Sequence, residues 1–309
     1  MGLTLVEAAK LVDNPKRQAI IEIFAKSNDI LGAIPFDDVP GSGVDYNREG
    51  TLPGVAFRGI NGSYTASTGV LNPQHDPLKV AGGTLDVDRA LTLMQGMGVR
   101  STQEAMKVKA LSGSIAKSII KGDSTDDPAE FDGLQRRLVG DQKIIMGANS
   151  TAAATALSLA KLDETIDAVD DPTHIIMNKT TRRKLTAASR LATVGGDVTT
   201  SVDQWGRQVY AYGGLPILIS GKDNTATEII PLTEVAGDDG TDGTSLYVVS
   251  FGDGMLTGIQ NGIMAVVDLG LRDDVFFRTL VEWLVGIALY HPRAAARLWS
   301  IDATAAVTV

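Results

Sequence analysis

Three histidines, two clusters of carboxylates and a few glycine-rich turns are the residues of this sequence that could do chemistry. His75, His174 and His291 stand far apart in the chain, and no HExxH motif brings two imidazoles to ligand spacing. The run Gly237-Asp238-Asp239-Gly240-Thr241-Asp242-Gly243 has the outline of a calcium loop. However, Gly240 stands where an acidic or amide oxygen is needed, and Val249 where the bidentate glutamate belongs. It reads as a solvated hairpin tip. Asp123, Asp126 and Asp127 read as helix caps and a solvated turn. Gly41-Ser42-Gly43 lacks the third glycine of a dinucleotide fingerprint, and neither a P-loop nor a GxSxG elbow occurs. Arg136-Arg137 and Arg182-Arg183-Lys184 are basic clusters without interleaved aromatics, so solvated helix faces or subunit contacts are expected before nucleic-acid recognition. With no cysteine, disulfides and thiolate metal sites are impossible. We expect no catalytic residues, no cofactor and no metal.

The bulk composition agrees with a folded, non-membrane chain. Its 309 residues are 44% apolar and 21% charged, and the net charge of -9 opposes broad nucleic-acid binding. The N-terminus lacks the basic-then-apolar order of a signal peptide. The apolar run Leu280 to Tyr290 is too short to span a bilayer and carries Glu282. A cytosolic protein without membrane contact is expected.

Two short helices are expected first. One is capped by Thr4 with Glu7. The other starts at Asn14-Pro15 and runs through Ile20, Ile21, Phe24 and Ile30. From Pro35 to about Asp88, prolines and glycines punctuate short extended pieces too closely for an ordinary loop, which implies an extended two-stranded excursion. Ser101 with Glu104 has capping-box spacing and opens a helix with Met106, Leu111, Ile115, Ile119 and Ile120 on its apolar face and Val108 at its edge. Gly122 ends this rod of roughly 30 Å. Asp127-Pro128 starts a further helix into 131–138, and Thr151 to about Val169 is helical. Strands are expected at 174–178, 208–212, 215–219 and 245–250, with a basic helix over 180–188. The last feature is a strand from Val275 to Leu289, roughly 50 Å long, with Ile263 to Leu269 pairing through the turn Gly270-Leu271-Arg272-Asp273-Asp274. The arm, the ribbon and the overlong strand are each hard for one isolated subunit to satisfy.

This order of elements, with four local phrases, resembles the major capsid proteins of tailed bacteriophages. The phrases are Pro128 to Leu134 (a Pro-Glu-Phe-Asp-Gly-Leu type with Ala129 inserted), Leu162 to Val169 before His174 to Asn178, Tyr212 to Ile217, and Trp283 to Leu289 followed by His291 to Leu298. In order, they cover most of the chain. The resemblance implies an α+β Hong Kong 97-like capsid fold with an N-terminal arm (1–36), an extended β-loop (37–88), a peripheral domain with a long spine helix (89–148), an axial domain (149–254), and the peripheral long strands with the C-terminus (255–309).

The implied function is self-assembly. Pentamers and hexamers of the chain would close an icosahedral shell around double-stranded DNA, which is contacted non-specifically. Partners would include a portal protein, a separate scaffolding protein if one is needed, and a decoration protein. Assembly would take place in the host bacterial cytoplasm. Arg48, Arg58, Lys79, Arg272, Asp273 and Asp274 are the candidate inter-subunit contacts. An exposed pair among them is worth only about 0–1 kcal/mol. Some family members join subunits through Lys–Asn bonds; Lys79 has no identified partner here. Removing 45–85 is expected to leave a soluble chain unable to form shells. An encapsulin-type compartment shell is the alternative within this fold. From other classes, the alternatives are an α/β small-molecule enzyme and a tail or decoration protein.

Overall fold

The longest strand, Phe276–Leu289, is the axis of a six-stranded sheet. The computed structural model describes residues 3–4, 28–96, 98–147, 153–190, 198–202, 208–236 and 241–308. Along the strand, Thr279, Val281, Trp283, Val285 and Ile287 share one face and are at most 2% exposed, as a period of two requires. Lys79–Asp88 runs antiparallel along one edge, opposite Val285 to Phe276. Ala265–Arg272 covers the first half of the other edge, and Leu256–Gln260 covers the second half. Pro35–Asp38 and then Leu3–Thr4 extend the sheet beyond Leu256–Gln260. The strand is 14 residues long, about 46 Å at ~3.3 Å per residue. Its length suggests a need for a neighbouring subunit, yet both of its edges are paired by its own chain. The turn is also tighter than expected. Asp273 and Asp274 both have positive φ (51° and 58°) and the Val275 amide donates to the Arg272 carbonyl, a type I′ turn inside a three-residue connection between the paired Arg272 and Phe276. Gly270 (φ 77°) follows the point where the register shifts in the adjoining strand.

The helix Gly98–Lys121 packs on this sheet through Val108, Leu111, Ile115, Ala116, Ile119 and Ile120, which recur at helical spacing. It begins a turn before Ser101, so the expected capping box does not form. Glu104 is buried and accepts from the Thr279 hydroxyl at 3.0 Å. Val108 is at the centre of the packed face, whereas Met106 is 59% exposed. Gly122 stops the helix for want of space, with no left-handed residue. A Cβ there would lie 2.2 Å from the Phe131 carbonyl oxygen. Gly133 donates to the Gly122 carbonyl at 2.8 Å. The segment around Phe131-Asp132-Gly133-Leu134 thus crosses the helix end at backbone contact and buries Phe131, Leu134 and Leu138.

A second, eight-stranded sheet has the order Lys143–Ile145, Ala295–Ile301, Thr241–Val249, His174–Met177, Leu215–Ile219, Gln208–Tyr212 and Val198–Val202, with Glu234–Ala236 also on Thr241–Val249. It is apolar on both faces. Ile176, Leu218, Tyr247, Val249 and Ala295 face the core shared with the long helix and the first sheet. Ile175, Met177, Ile217, Leu246, Val248, Ala296 and Leu298 face a second core, which includes Leu162 and Leu185 from the helices Leu159–Asp167 and Lys179–Ala188. Burial on both faces explains the unbroken apolar runs of these strands. Lys121 and Arg297 pair with the same Glu234 carboxylate at 3.2 and 3.1 Å, which ties the end of the long helix to this sheet.

Several local expectations change. Asn28 is extended and caps a separate short helix, Asp29–Ala33, so no helix runs continuously through Ile30. Leu3–Thr4 is strand, and the expected arm helices otherwise lie outside the described residues. Asp127 caps a turn by accepting from the Ala129 amide at 2.9 Å, and the helix after it covers only Leu134–Arg137. The helix expected from Thr151 starts at Leu159; positions 151 and 152 are outside the described residues. The expected excursion also divides. Gly43–Thr51 pairs with Val70–Pro77 as a separate two-stranded ribbon, while Lys79–Asp88 belongs to the first sheet.

Candidate assembly surfaces

The ribbon runs in register from Gly43 opposite Pro77 to Glu49 opposite Leu71, and the register shifts by one residue before Thr51 meets Val70. Beyond it, residues 52–69 form no strand, and Leu52, Val55, Phe57, Ile60 and Tyr64 are exposed. Side chains of this tip make local ties. Arg58 donates to the Gly62 carbonyl at 3.2 Å and lies over the Tyr64 ring at 5.3 Å, and Ser67 donates to the Gly54 carbonyl at 3.0 Å. A two-stranded ribbon is marginal alone in water, and clustered exposed apolar side chains mark a contact surface.

The base of the ribbon is the opposite case. Asp76 is 6% exposed. Its carboxylate lies 2.8 Å from the Tyr46 hydroxyl and 2.7 Å from Arg137 Nη1, and the Leu289 amide donates to it at 3.4 Å. The Tyr46 hydroxyl is also 2.8 Å from the Leu289 carbonyl, to which Arg48 Nε donates at 3.1 Å. Its single proton can serve only one of the two acceptors at a time. Burial, reinforced by the neighbouring Asp76 charge, pushes the Tyr46 hydroxyl up to about 12, so it remains a donor at neutral pH. Arg48 and Lys79, both candidate contacts, are held by their own chain. Arg48 reaches Leu289, and Lys79 donates to the Pro128 carbonyl at 2.7 Å.

The hairpin 265–289 offers a second surface. At its root, Arg100 pairs with Asp268 at 2.6 Å, donates to Thr279 Oγ1 at 2.9 Å and faces Glu104 at 3.3 Å. Arg278 holds Asp86 on the adjoining edge strand, and this hydrogen bond draws the Asp86 carboxyl below its ordinary value. At the tip, Arg272 stands 3.6 Å from Asp273, both exposed, next to the exposed Asp274. Leu269, Leu271, Val275 and Phe276 are exposed nearby. The helix Arg89–Gln95 exposes Leu93 and Met94, and its first amide donates to the Val275 carbonyl at 2.8 Å.

The residues singled out for chemistry do not converge. His75 meets its cross-strand partner Asp45 at 2.6 Å on the exposed ribbon. His174 stacks near Phe251 at 5.3 Å, and burial pushes its imidazole down to about 4. His291 accepts from the Arg293 amide. Asp123 accepts from the Thr125 amide and pairs with Arg136. Of the basic clusters expected on solvated faces, Arg137 is committed to Asp76 and Arg182 lies over the Tyr210 ring at 4.5 Å. Residues 237–240 of the aspartate–glycine loop lie outside the described residues, and Thr241 to Gly243 are strand. Among the described residues, no group of three or more His, Asp or Glu is placed to hold a metal ion, and no helix is long and apolar enough to cross a membrane. Sequence reasoning missed Asp76, Tyr46 and Arg100. An aspartate before a proline at a strand end gives no sign of burial on its own.

Solved structures share the fold of this chain. The encapsulin of the holo-SrpI complex from Synechococcus elongatus PCC 7942 matches with a TM-score of 0.66 and 14% identity, over 91% of this chain and 89% of that one. The Mycobacterium phage Bobi structure matches with a TM-score of 0.60 and 11% identity, over 88% and 89%. The capsid of an empty GTA particle matches with a TM-score of 0.57 and 13% identity, over 88% and 89%. The class is the α+β Hong Kong 97-like capsid fold. Within it, the family model described as Major capsid protein GP7 matches residues 13–169, and the chain belongs to that family. It is a structural capsid protein, not an enzyme. No curated protein sequence matches significantly.

Proposed function

We propose that this chain is the major head subunit of a tailed bacteriophage and that its pentamers and hexamers close an icosahedral shell around double-stranded DNA. The observation that carries this reading is the ribbon tip, where Leu52, Val55, Phe57 and Ile60 are exposed on a segment its own body does not cover. Burying one such side chain contributes roughly 1.5–3 kcal/mol, against about 0–1 kcal/mol for an exposed ion pair. The tip is therefore the dominant contact, and the charged turn Arg272-Asp273-Asp274 sets register around a symmetry axis. Arg58 would join the ribbon contact, with Arg48 and Lys79 shaping the ribbon's root. Many weak, symmetric contacts then close the shell through avidity.

In this reading residues 1–36 are the arm, 37–88 the extended loop, 89–148 and 255–309 the peripheral domain, and 149–254 the axial domain. A portal protein, a separate scaffold and a decoration protein are the expected partners, and the host bacterial cytoplasm is the place of assembly.

The test is expression of the intact chain beside a variant with 52–69 replaced by a two-residue turn. Removing 45–85 would be the wrong deletion, because it strips Lys79 to Leu85 from the long strand. Closed megadalton particles in electron micrographs are expected from the intact chain, and only soluble subunits from the variant. Normal particles from the variant would refute the reading. The fold shared with the SrpI encapsulin supports a second reading, a compartment that holds protein cargo. Particles from the native source that contain protein and no DNA would favour it.

A further inference from the structure

We propose that Asp76 is the positioning residue that sets the angle at which the ribbon leaves the body, and thereby the curvature of the shell. The inference rests on the shell reading above.

Three elements converge on this one carboxylate. Tyr46 comes from the opposite ribbon strand, Arg137 from the short helix Leu134–Arg137, and the Leu289 amide from the end of the long strand. The second and third belong to the body, so Asp76 joins the ribbon to two separate parts of the body at once. Each partner is itself fixed. Arg137 Nε donates to the Asp132 carbonyl at 2.7 Å, and Leu289 is paired with Leu256 at the end of the long strand. Below the node the chain makes backbone contact with the sheet. A Cβ on Gly286 would lie 2.8 Å from the Pro77 carbonyl oxygen, so the root of the ribbon cannot shift sideways without moving the long strand. Beyond the node, Tyr46 and Arg48 still reach the Leu289 carbonyl, and from Thr51 to His75 every residue is exposed.

That asymmetry makes the ribbon a lever. Its first strand is nine residues long, about 30 Å at ~3.3 Å per residue, so a swing of about 10° moves the tip by ~5 Å, close to the spacing between strands. A displacement of that size carries the apolar tip off one contact and onto the next. A buried carboxylate with charged and neutral donors resists such a swing, because breaking any one bond leaves a desolvated polar group behind.

The test compares Asp76→Asn with the wild type, once the wild type has been shown to form particles; failure at that first step overturns the shell reading itself. Hydrogen exchange on unassembled subunits reads the lever. Amides of 43–51 and 70–77 are expected to exchange on the order of tenfold faster in the variant, while those of 276–289 stay protected. Electron microscopy of assembled material reads curvature, and a broad or shifted diameter distribution is expected. Ile175→Val, a trim in the second core, controls for stability: it lowers the melting temperature and leaves the diameter unchanged. Combining Asp76→Asn with Arg137→Gln restores a neutral hydrogen-bonded pair and should narrow the distribution again. Wild-type diameters together with wild-type ribbon exchange in Asp76→Asn would overturn the proposal. If that variant does not fold, Tyr46→Phe carries the same two readouts, and wild-type results from it overturn the proposal equally.

Discussion

The ribbon and the long strand are both extended hairpin elements, and they have opposite fates. Phe276–Leu289 carries Lys79–Asp88 on one edge and two strands in succession on the other. Gly43–Thr51 and Val70–Pro77 pair only with each other. Great length in a strand is therefore no evidence of an inter-subunit contact. Exposed apolar side chains on a segment with no covering element are better evidence, because they leave a favourable burial term unused.

Four measurements would break or sharpen this contrast. The largest effect is expected where the long strand meets the core. Trp283 is packed against Phe36 at 5.1 Å and donates to Gln260 at 3.2 Å. Trp283→Ala should cost about 3–5 kcal/mol in urea unfolding followed by circular dichroism; a loss under about 1 kcal/mol would mean that the strand is not anchored in cis.

Next is the root of the same hairpin. Arg100→Ala removes a buried cation that faces Glu104 and pairs with Asp268 and should cost about 3 kcal/mol, with faster hydrogen exchange confined to 265–280.

The third measurement is a pH titration that acts on the body. His174 is neutral in the folded chain, with its imidazole pushed from 6.5 down to about 4. The unfolded chain takes up a proton below about 6.5, so stability is complete above that pH and falls on the order of 2 kcal/mol as pH drops toward 4. His174→Gln should flatten this slope. If the slope persists in that variant, another group is responsible.

The smallest effect is expected from the ribbon tip. Replacing 52–69 with a short turn should change subunit stability by less than about 1 kcal/mol. A large loss would show that the tip supports its own subunit after all.

Much of this arrangement was legible in the residues. The period-two run through Val281, Trp283 and Val285 marks the long strand and its buried face, and the apolar stripe through Leu111, Ile115 and Ile119 marks the long helix. The density of proline and glycine from Pro35 onward marks an excursion. The arrangement at its base was not legible. Asp76 meets Arg137 across 61 residues of sequence and Leu289 across 213, and local pattern carries no trace of either partner. Ser101 and Glu104 have the spacing of a cap, yet the helix starts earlier because Arg100 and Glu104 are both drawn into the sheet by Thr279. Asn28 interrupts an apparent helical stripe because its side chain caps Ile30 and reaches the Ser220 carbonyl at 3.4 Å.

The sequence by itself determined the periodicities and the absence of any motif that assembles a reactive centre. These depend on neighbours a few residues away, where side-chain direction follows directly from backbone geometry. Which extended segment found a partner within the chain, and which was left to find one outside it, was decided only in the tertiary structure. Strand pairing joins edges remote in sequence, and a free edge looks the same in a local pattern whether its partner is 190 residues away or on another subunit.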